Sequence, residues 1–481
     1  MTQKTALEIL KTGQNVFLTG PAGSGKTFVL NKFIKYLKDN NITVAITAST
    51  GIAATHLNGK TVHSWSGLGI NDTIDGKIFK KIIHKRGLQR RILKTSTLII
   101  DEISMLSAKQ LDAVDAICRA VRGNDLPFGG MQVIFCGDFF QLPPIQRAER
   151  EQVMYAYNSE VWKKMDIKIC YLNEQHRQKD NDLVKVLNDI RRNLVSEETR
   201  DLVLSRKNKK FAGNVKPAKL FTHNIDVDRI NDLELKKIQE KSYVYVMRSK
   251  GRDRMVESLK KSCLAPERLA LKVGAQVMFV KNNFEQGYVN GTMGQVIGFT
   301  EDRKLPIVQT FQGDEIIASP AEWEIEEDSR MLAKIRQIPL RLAWAITVHK
   351  SQGMSLDAAE VDLTKTFEYG MGYVALSRVR SLEGLSVIGI NEMAFEAHSE
   401  ILEIDNEFIR YSEEFLQEFE KMAGEKIEEM KNNFLKYNGT KDEDKKEERR
   451  SKSDKIYSVD DIRKRTVFKK SFCHLDRTTE E

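Results

Sequence analysis

Cysteine, proline and tryptophan are scarce in this 481-residue chain, with five, nine and four copies. The cysteines, at 118, 136, 170, 263 and 473, are odd in number, scattered, and form no C-x-x-C pair. That argues against a disulfide framework or a zinc site and for core thiols in a reducing compartment. No apolar run reaches the ~18–20 residues that a membrane span needs. The opening "MTQKTALEIL" lacks the basic-then-apolar layout of a secretory signal and leaves no room for a transit peptide before the first motif, so a cytoplasmic protein without a membrane partner is expected. A guanine-reading N/T-K-x-D motif is missing, and so is a nuclease-like cluster of His, Asp and Glu. Charge of one sign does not dominate: 76 Lys and Arg face 68 Asp and Glu, a net +8 that tolerates a polyanion partner and equally describes a solvated surface.

What is present is enough for about three domains. Residues 1–165 alternate β-rich runs with helical stretches: "NVFLTG" (15–20), "TVAIT" (43–47), "TLIIDE" (97–102) and "MQVIFCGD" (131–138), with helix-like segments at 26–39 and 107–122. Such alternation predicts an α/β fold, a parallel sheet with helices on both faces and binding residues at the strand ends. A second unit of the same style is read over 166–225 and 331–395. Between them, in the inserted region 226–330, short alternating runs punctuated by "VNGT" and "QGD" predict a small antiparallel barrel at about 264–330. Residues 396–435 read as amphipathic helix, and the charge-dense stretch from about 436 as a disordered or solvated tail.

"GPAGSGKT", Gly20 to Thr27, fits G-x-x-x-x-G-K-[ST], with a strand before it and a helix after it. Gly20, Ala22, Gly23, Ser24 and Gly25 supply backbone N–H groups that curl around an anion. Lys26 reaches the β/γ phosphates and the Thr27 hydroxyl ligates Mg²⁺. The following helix adds roughly half a positive charge towards the phosphates. In "LIIDEISM" (98–105), Asp101 ends a strand where it can hold Mg²⁺, and Glu102 can orient and deprotonate a water. A glutamate there suits a hydrolase better than a kinase. Gln141 in "GDFFQLPPI" is the candidate γ-phosphate sensor, and Arg177 and Arg378 are candidate arginine fingers.

These motifs together resemble superfamily 1 helicases, and more narrowly the petite integration frequency (PIF) family of DNA helicases. The stretches that carry the resemblance are "DEISM", "DAVDAICRAVRGNDLPFGGMQVIFCGDFFQLPPI" (112–145), "ITASTGIAATHLNGKTVHSWSGLG" (46–69), "RLAWAITVHKSQGMSLD" (341–357) and "YVALSRVRSLEGL" (373–385), within roughly residues 1–390. The resemblance implies two RecA-like domains with ATP between them, a wedge element at about 60–95 and a barrel like that of Src-homology-3 domains inserted in the second domain. It implies ATP-driven 5′→3′ translocation on single-stranded DNA with unwinding of forked duplex. Folded G-rich DNA and RNA–DNA hybrids are further substrates it implies, in replication, repair, recombination or telomere maintenance. A monomer in a bacterial or phage setting, at the nucleoid, is expected.

The resemblance makes Arg177 and Arg378 fingers from the second domain, puts Gly353 of "HKSQG" by the γ-phosphate, and makes Gln3 the adenine reader. Two departures stand out: Met371-Gly372 where the family often has Gly-Gln, and Met354 where it often has Gln. A single-strand groove needs backbone donors, positive charge and stacking surfaces. Thr47, Ser49, Thr50, Gly51, His63 and Ser64 are its candidates in the first unit; Trp65 either stacks on a base or fills core. In the second unit they are Thr222 and Asn224 of "THN" and Thr347, His349 and Lys350 of "TVHK". Competing readings are a translocase or motor subunit that needs a partner, and a clamp that binds ATP and DNA without turnover. The tail from 396 is either solvated or a DNA- or partner-binding segment using "KKEERRSK" and "DIRKRTVFKK".

Overall fold

In the computed structural model, the residues described are 1–439 apart from 58, 70–75, 145–153, 179, 212–216, 284, 289, 303, 312, 328–329 and 357. Part of the predicted wedge, and both basic runs of the tail, lie outside them. The first sheet has six parallel strands in the order Lys60–Thr61, Val44–Ala48, Thr97–Asp101, Gln132–Cys136, Asn15–Thr19, Ile167–Tyr171. Alternate residues of each strand face opposite sides. Val16, Leu18, Ile99 and Ile134 pack with Leu30, Phe33 and Leu37 of the helix Lys26–Asp39. Phe17, Leu98, Ile100 and Phe135 pack on the other side with Leu111, Val114 and Ile117 of the helix Ala108–Arg122. That second helix starts at a capping box, in which Ser107 and Gln110 exchange hydrogen bonds with each other's backbone.

The strand Ile167–Tyr171 corrects one expected boundary. The sequence places the start of the second unit at 166, yet this strand pairs in parallel with Asn15–Thr19 and closes the first sheet. Its outer edge is covered by the helix Ser399–Lys421, whose Ser412 hydroxyl accepts the Tyr171 N–H at 3.0 Å. A buried edge donor is thereby satisfied, and a strand edge is kept from pairing with other chains. Phe408, Phe415 and Phe419 of the same helix are buried, as is Phe434 of the helix Gly424–Asn438. At roughly 1.5–3 kcal/mol for each buried large apolar side chain, this is firm docking onto the first domain. Residues 399–438 are therefore part of the folded body and not a solvated tail.

The second sheet has four parallel strands, in the order Ala345–Thr347, Ala218–Phe221, Ala359–Leu363, Leu385–Ile390. Between its first two strands in sequence lies an antiparallel five-stranded sheet: Glu315–Ile317, Pro306–Thr310, Met293–Phe299, Gln276–Phe279 and Leu340–Leu342. It surrounds a core of its own that includes Val277, Phe279, Tyr288, Val296 and Val308. The expected barrel range needs correction at its end. Ala321–Glu327 and Arg330–Gln337 leave it to form a three-stranded sheet with Arg248–Gly251, backed by the helix Asp253–Ser262. The final barrel strand comes later, at Leu340–Leu342, which was expected in the second α/β unit. Among the described residues no helix is long and apolar enough to cross a membrane, and Cys118, Cys136, Cys170 and Cys263 are free thiols.

Candidate active site and nucleic-acid interface

The phosphate-loop candidate occupies the turn between the strand Asn15–Thr19 and the helix Lys26–Asp39. Gly23 and Gly25 have φ of +88° and +86°, in the left-handed region that costs a side chain most. A Cβ on Gly25 would sit 2.0 Å from Gln3 Nε2, so the loop and Gln3 are in close contact. The Gln3 amide donates to Ser24 O at 3.1 Å. Gln3 thus flanks the loop. Lys26 Nζ donates to Gly20 O at 2.7 Å and to Pro21 O at 3.0 Å, and burial lowers its pKa.

Asp101 and Glu102 stand at the end of the fully buried strand Thr97–Asp101. Asp101 is 7% exposed and its Oδ1 accepts the Glu102 N–H at 2.9 Å. Glu102 takes a left-handed backbone, φ 51° and ψ 47°, which turns it out of the strand direction. Burial, then the neighbouring Asp101, push its carboxyl up to about 7. Gln352 Nε2 donates to Glu102 Oε2 at 2.9 Å and lies 3.4 Å from Gln141 Oε1.

Lys26, Thr27, Glu102, Gln141, Arg177, Gly353 and Arg378 line one cleft of about 1660 Å³, together with Ala22, Gly23 and Gly25. Arg378 is 1% exposed. Its guanidinium donates to Val374 O, Ser351 O, Met354 O and Ser377 Oγ at 2.7–3.3 Å. Burial, then the nearby Arg177, push it down to about 9. Arg177 Nη1 donates to Ser377 O at 3.2 Å, which ties the two arginines to one short segment. Gln3, Gly20, Ser24 and Asp101 stand behind or beside the cleft wall, not on it.

The nucleic-acid candidates divide. Thr47 is fully buried and its hydroxyl donates to Ile99 O at 2.6 Å, so it braces the sheet and presents nothing at the surface. Ser49 is buried and donates to Glu102 O at 2.7 Å, which spends its hydroxyl on the strand end that carries Glu102. Both corrections have one cause: side chains at a strand end satisfy the neighbouring strand first. Thr50 is half-buried and its Oγ1 accepts Ala53 N–H, with Gly51 opening the helix Gly51–His56. His63 is half-buried and Ser64 exposed on the short helix Val62–Ser66, while Trp65 is core, 3% exposed. Thr222 is buried, its hydroxyl 2.8 Å from His223 Nδ1. Asn224 opens the helix Asn224–Lys237, and its side chain lies outside the described residues. Thr347 is 2% exposed and caps Val348–Ser351 by accepting the Lys350 N–H. His349 and Lys350 are half-buried, His349 Nε2 lying 3.8 Å from Glu368 Oε2. Burial lowers the pKa of both His349 and Lys350.

Sequence reasoning missed Gln352, although "HKSQG" contains it. It also missed Asp138, Tyr373 and Arg191, which form a buried cluster behind the phosphate loop. Asp138 and Tyr373 lie inside quoted motifs; Arg191, at the end of an amphipathic helix, carries no local signal at all. One of the two departures, Met371-Gly372, also acquires a reason. Gly372 is packed so tightly that a Cβ would meet Ala394 O at 1.9 Å, and Met371 is fully buried. A glutamine at 372 has no room.

Comparison with known proteins follows the same lines. Residues 2–197 match the family described as PIF1-like helicase, and residues 255–299 match the 2B domain of DNA helicase Pif1. The chain is 43% identical over 495 residues to an ATP-dependent DNA helicase Pif1 of Psychrobacter sp., covering 90% of this chain and 75% of that one. A Bacteroides sp. Pif1 in complex with ADP-AlF4 is 31% identical, superposes with a TM-score of 0.72, and is matched over 85% of this chain and 96% of its own. A Bacteroides Pif1 bound to ssDNA gives 32% identity and a TM-score of 0.63 over 85% and 97% of the two chains.

Proposed function

The chain belongs to the PIF1-like helicases and is an ATP-dependent DNA helicase, and we propose that it moves 5′→3′ along single-stranded DNA, closing and opening the cleft between its two parallel sheets with each ATP. The observation that carries this is the shared cleft. Lys26 and Glu102 of the first domain face Arg378 of the second domain across one cavity, and Gln352 bonds to Glu102 directly. ATP bound there makes the γ-phosphate a tie between the domains; its loss unties them.

In this reading Lys26 neutralises the β/γ phosphates. Glu102 orients the attacking water and takes its proton, a role suited to a carboxyl whose pKa burial has brought to about 7. Gln141 senses the γ-phosphate, and Arg177 and Arg378 stabilise charge developing on it. Gln3 sits where an adenine reader would border the loop. Mg²⁺ sites in such enzymes use one or two protein ligands plus phosphate and water. The set present fits: the Asp101 carboxylate, which also meets the Cys136 thiol, and the hydroxyl of Thr27, an exposed residue of the cleft, are the ligands that would hold it. Bound there, the ion would offset phosphate charge. Thr50, Gly51, His63 and Ser64 in the first domain, and Asn224, His349 and Lys350 in the second, form the two DNA grips, with Thr222 and Thr347, buried as Thr47 is, bracing the second from behind. Ser49 links the first grip to Glu102 through its 2.7 Å hydrogen bond. G-rich folded DNA and RNA–DNA hybrids as substrates, and a monomeric, nucleoid-associated protein, belong to the same proposal.

The test is strand displacement on forked duplexes with a single 5′ or 3′ tail, with ATP and with a non-hydrolysable analogue. Unwinding with ATP from the 5′ tail alone is expected. Unwinding from the 3′ tail alone overturns the polarity, and hydrolysis without displacement overturns the unwinding cycle.

A further inference from the structure

Behind the phosphate loop, side chains from distant parts of the chain meet in one buried polar cluster. Tyr373 is 2% exposed. Its hydroxyl accepts the Ala22 N–H at 2.8 Å and donates to Asp138 Oδ2 at 3.3 Å. Arg191 Nη1 donates to Asp138 Oδ1 at 2.7 Å and to the Tyr373 hydroxyl at 3.3 Å. Arg191 Nη2 donates to the Tyr171 hydroxyl at 2.9 Å and to Asp405 Oδ1 at 3.4 Å. The guanidinium carbon also lies 4.0 Å from the centre of the Phe140 ring, one residue before Gln141. The Tyr373 hydroxyl thus has a defined partner for its proton and two donors for its lone pairs, which fixes its position.

That position matters because of what lies on either side. Ala22 is in the phosphate loop, and its N–H, expected from the sequence to face the anion, is taken here by the Tyr373 hydroxyl. Tyr373 rides on the helix Met371–Leu376, which leads directly to Arg378. One hydroxyl therefore sets the spacing between the loop that takes the phosphates and the segment that brings the arginine. Asp405 comes from the helix Ser399–Lys421, which touches the cleft nowhere and reaches it through Arg191.

We propose that Tyr373 is a positioning residue for ATP binding, holding the phosphate loop by Ala22, and that Asp405 of the C-terminal helix acts on the loop through Arg191 and Tyr373. The proposal rests on ATP binding in this cleft. Tyr373→Phe removes only the hydroxyl, and Asp405→Asn only the charge. In the full-length chain, DNA-stimulated ATPase is measured with ATP titrated, and thermal unfolding is followed alongside. Tyr373→Phe is expected to raise the KM for ATP about five- to tenfold, the cost of one buried hydrogen bond, with kcat within about twofold. Asp405→Asn is expected to move KM the same way by less, and the double variant to be no worse than Tyr373→Phe. A lowered kcat and melting temperature at unchanged KM would make the cluster merely structural and overturn the proposal. Additive effects in the double variant would overturn the route through Arg191. A wild-type protein that binds no ATP would sink the helicase reading itself; wild-type turnover with KM unmoved in Tyr373→Phe would sink this proposal alone.

Discussion

Gln352 and Glu102, 250 residues apart in sequence, are joined by a 2.9 Å hydrogen bond in which the amide of one domain holds the carboxylate of the other. The same amide lies 3.4 Å from Gln141 Oε1. The residue that would activate water and the one that would sense the γ-phosphate therefore share a single support. Replacing it (Gln352→Ala) should lower kcat for ATP by about 10–10², because a misaligned base loses rate steeply with small displacements. KM should change much less. Steady-state ATPase at saturating single-stranded DNA measures this; an unchanged kcat would show that Glu102 needs no second-domain support.

Lys26→Ala should reduce ATP turnover by about 10²–10³, the usual cost of one electrostatic partner of a reacting phosphoryl group. Binding of single-stranded DNA should persist, since none of the proposed grips includes Lys26. Fluorescence anisotropy with a labelled oligonucleotide separates the two effects. That binding should weaken with salt and vary little with base sequence.

Gly372 faces backbone, not a flexible side chain. A methyl group there would lie 1.9 Å from Ala394 O and 2.6 Å from Ala394 C. Gly372→Ala should therefore cost about 1–3 kcal/mol or more, as overpacking does. The midpoint of urea unfolding reads it, and a midpoint equal to wild type would contradict the tight approach.

Burial pushes Glu368 up to about 7 from its ordinary 4.5. The groups facing it include His349 at 3.8 Å and the phenol of Tyr155. A carboxyl with a folded-state pKa above its unfolded value holds its proton more tightly when folded. Its contribution is therefore fully present below about pH 4.5 and is lost as pH rises through about 7. Glu368→Gln should leave stability near wild type at pH 5 and exceed it by about 1–2 kcal/mol at pH 8.5. Parallel urea titrations at the two pH values check the sign; a gap that opens at low pH instead would refute it.

Much of the chemistry is legible in the order of the residues. The strands 15–19, 44–48, 97–101 and 132–136 form where apolar runs end in polar residues. The loop from Gly20 to Thr27 is local in its logic: glycines at positive φ and a helix that starts at Lys26. Other expectations fail for a physical reason. Thr47 and Ser49 read as surface hydroxyls, but a strand end inside a six-stranded sheet has neighbouring carbonyls within reach, and the hydroxyls bond to those. The strand Ile167–Tyr171 reads as the start of a new unit because strand patterning does not say which sheet a strand joins.

By itself, then, the sequence determined the residue types and spacings that curl a loop around phosphate, end a strand in two carboxylates and build two α/β units, because each depends on neighbours a few residues away. The tertiary structure alone decided that Gln352 would meet Glu102, that Tyr373 would take the Ala22 N–H, and that Asp405 would reach Arg191. Those pairs lie 214 to 351 residues apart. No local pattern encodes them: they form when two sheets and a C-terminal helix pack together, and burial then leaves each polar group only the partners that the packing brings.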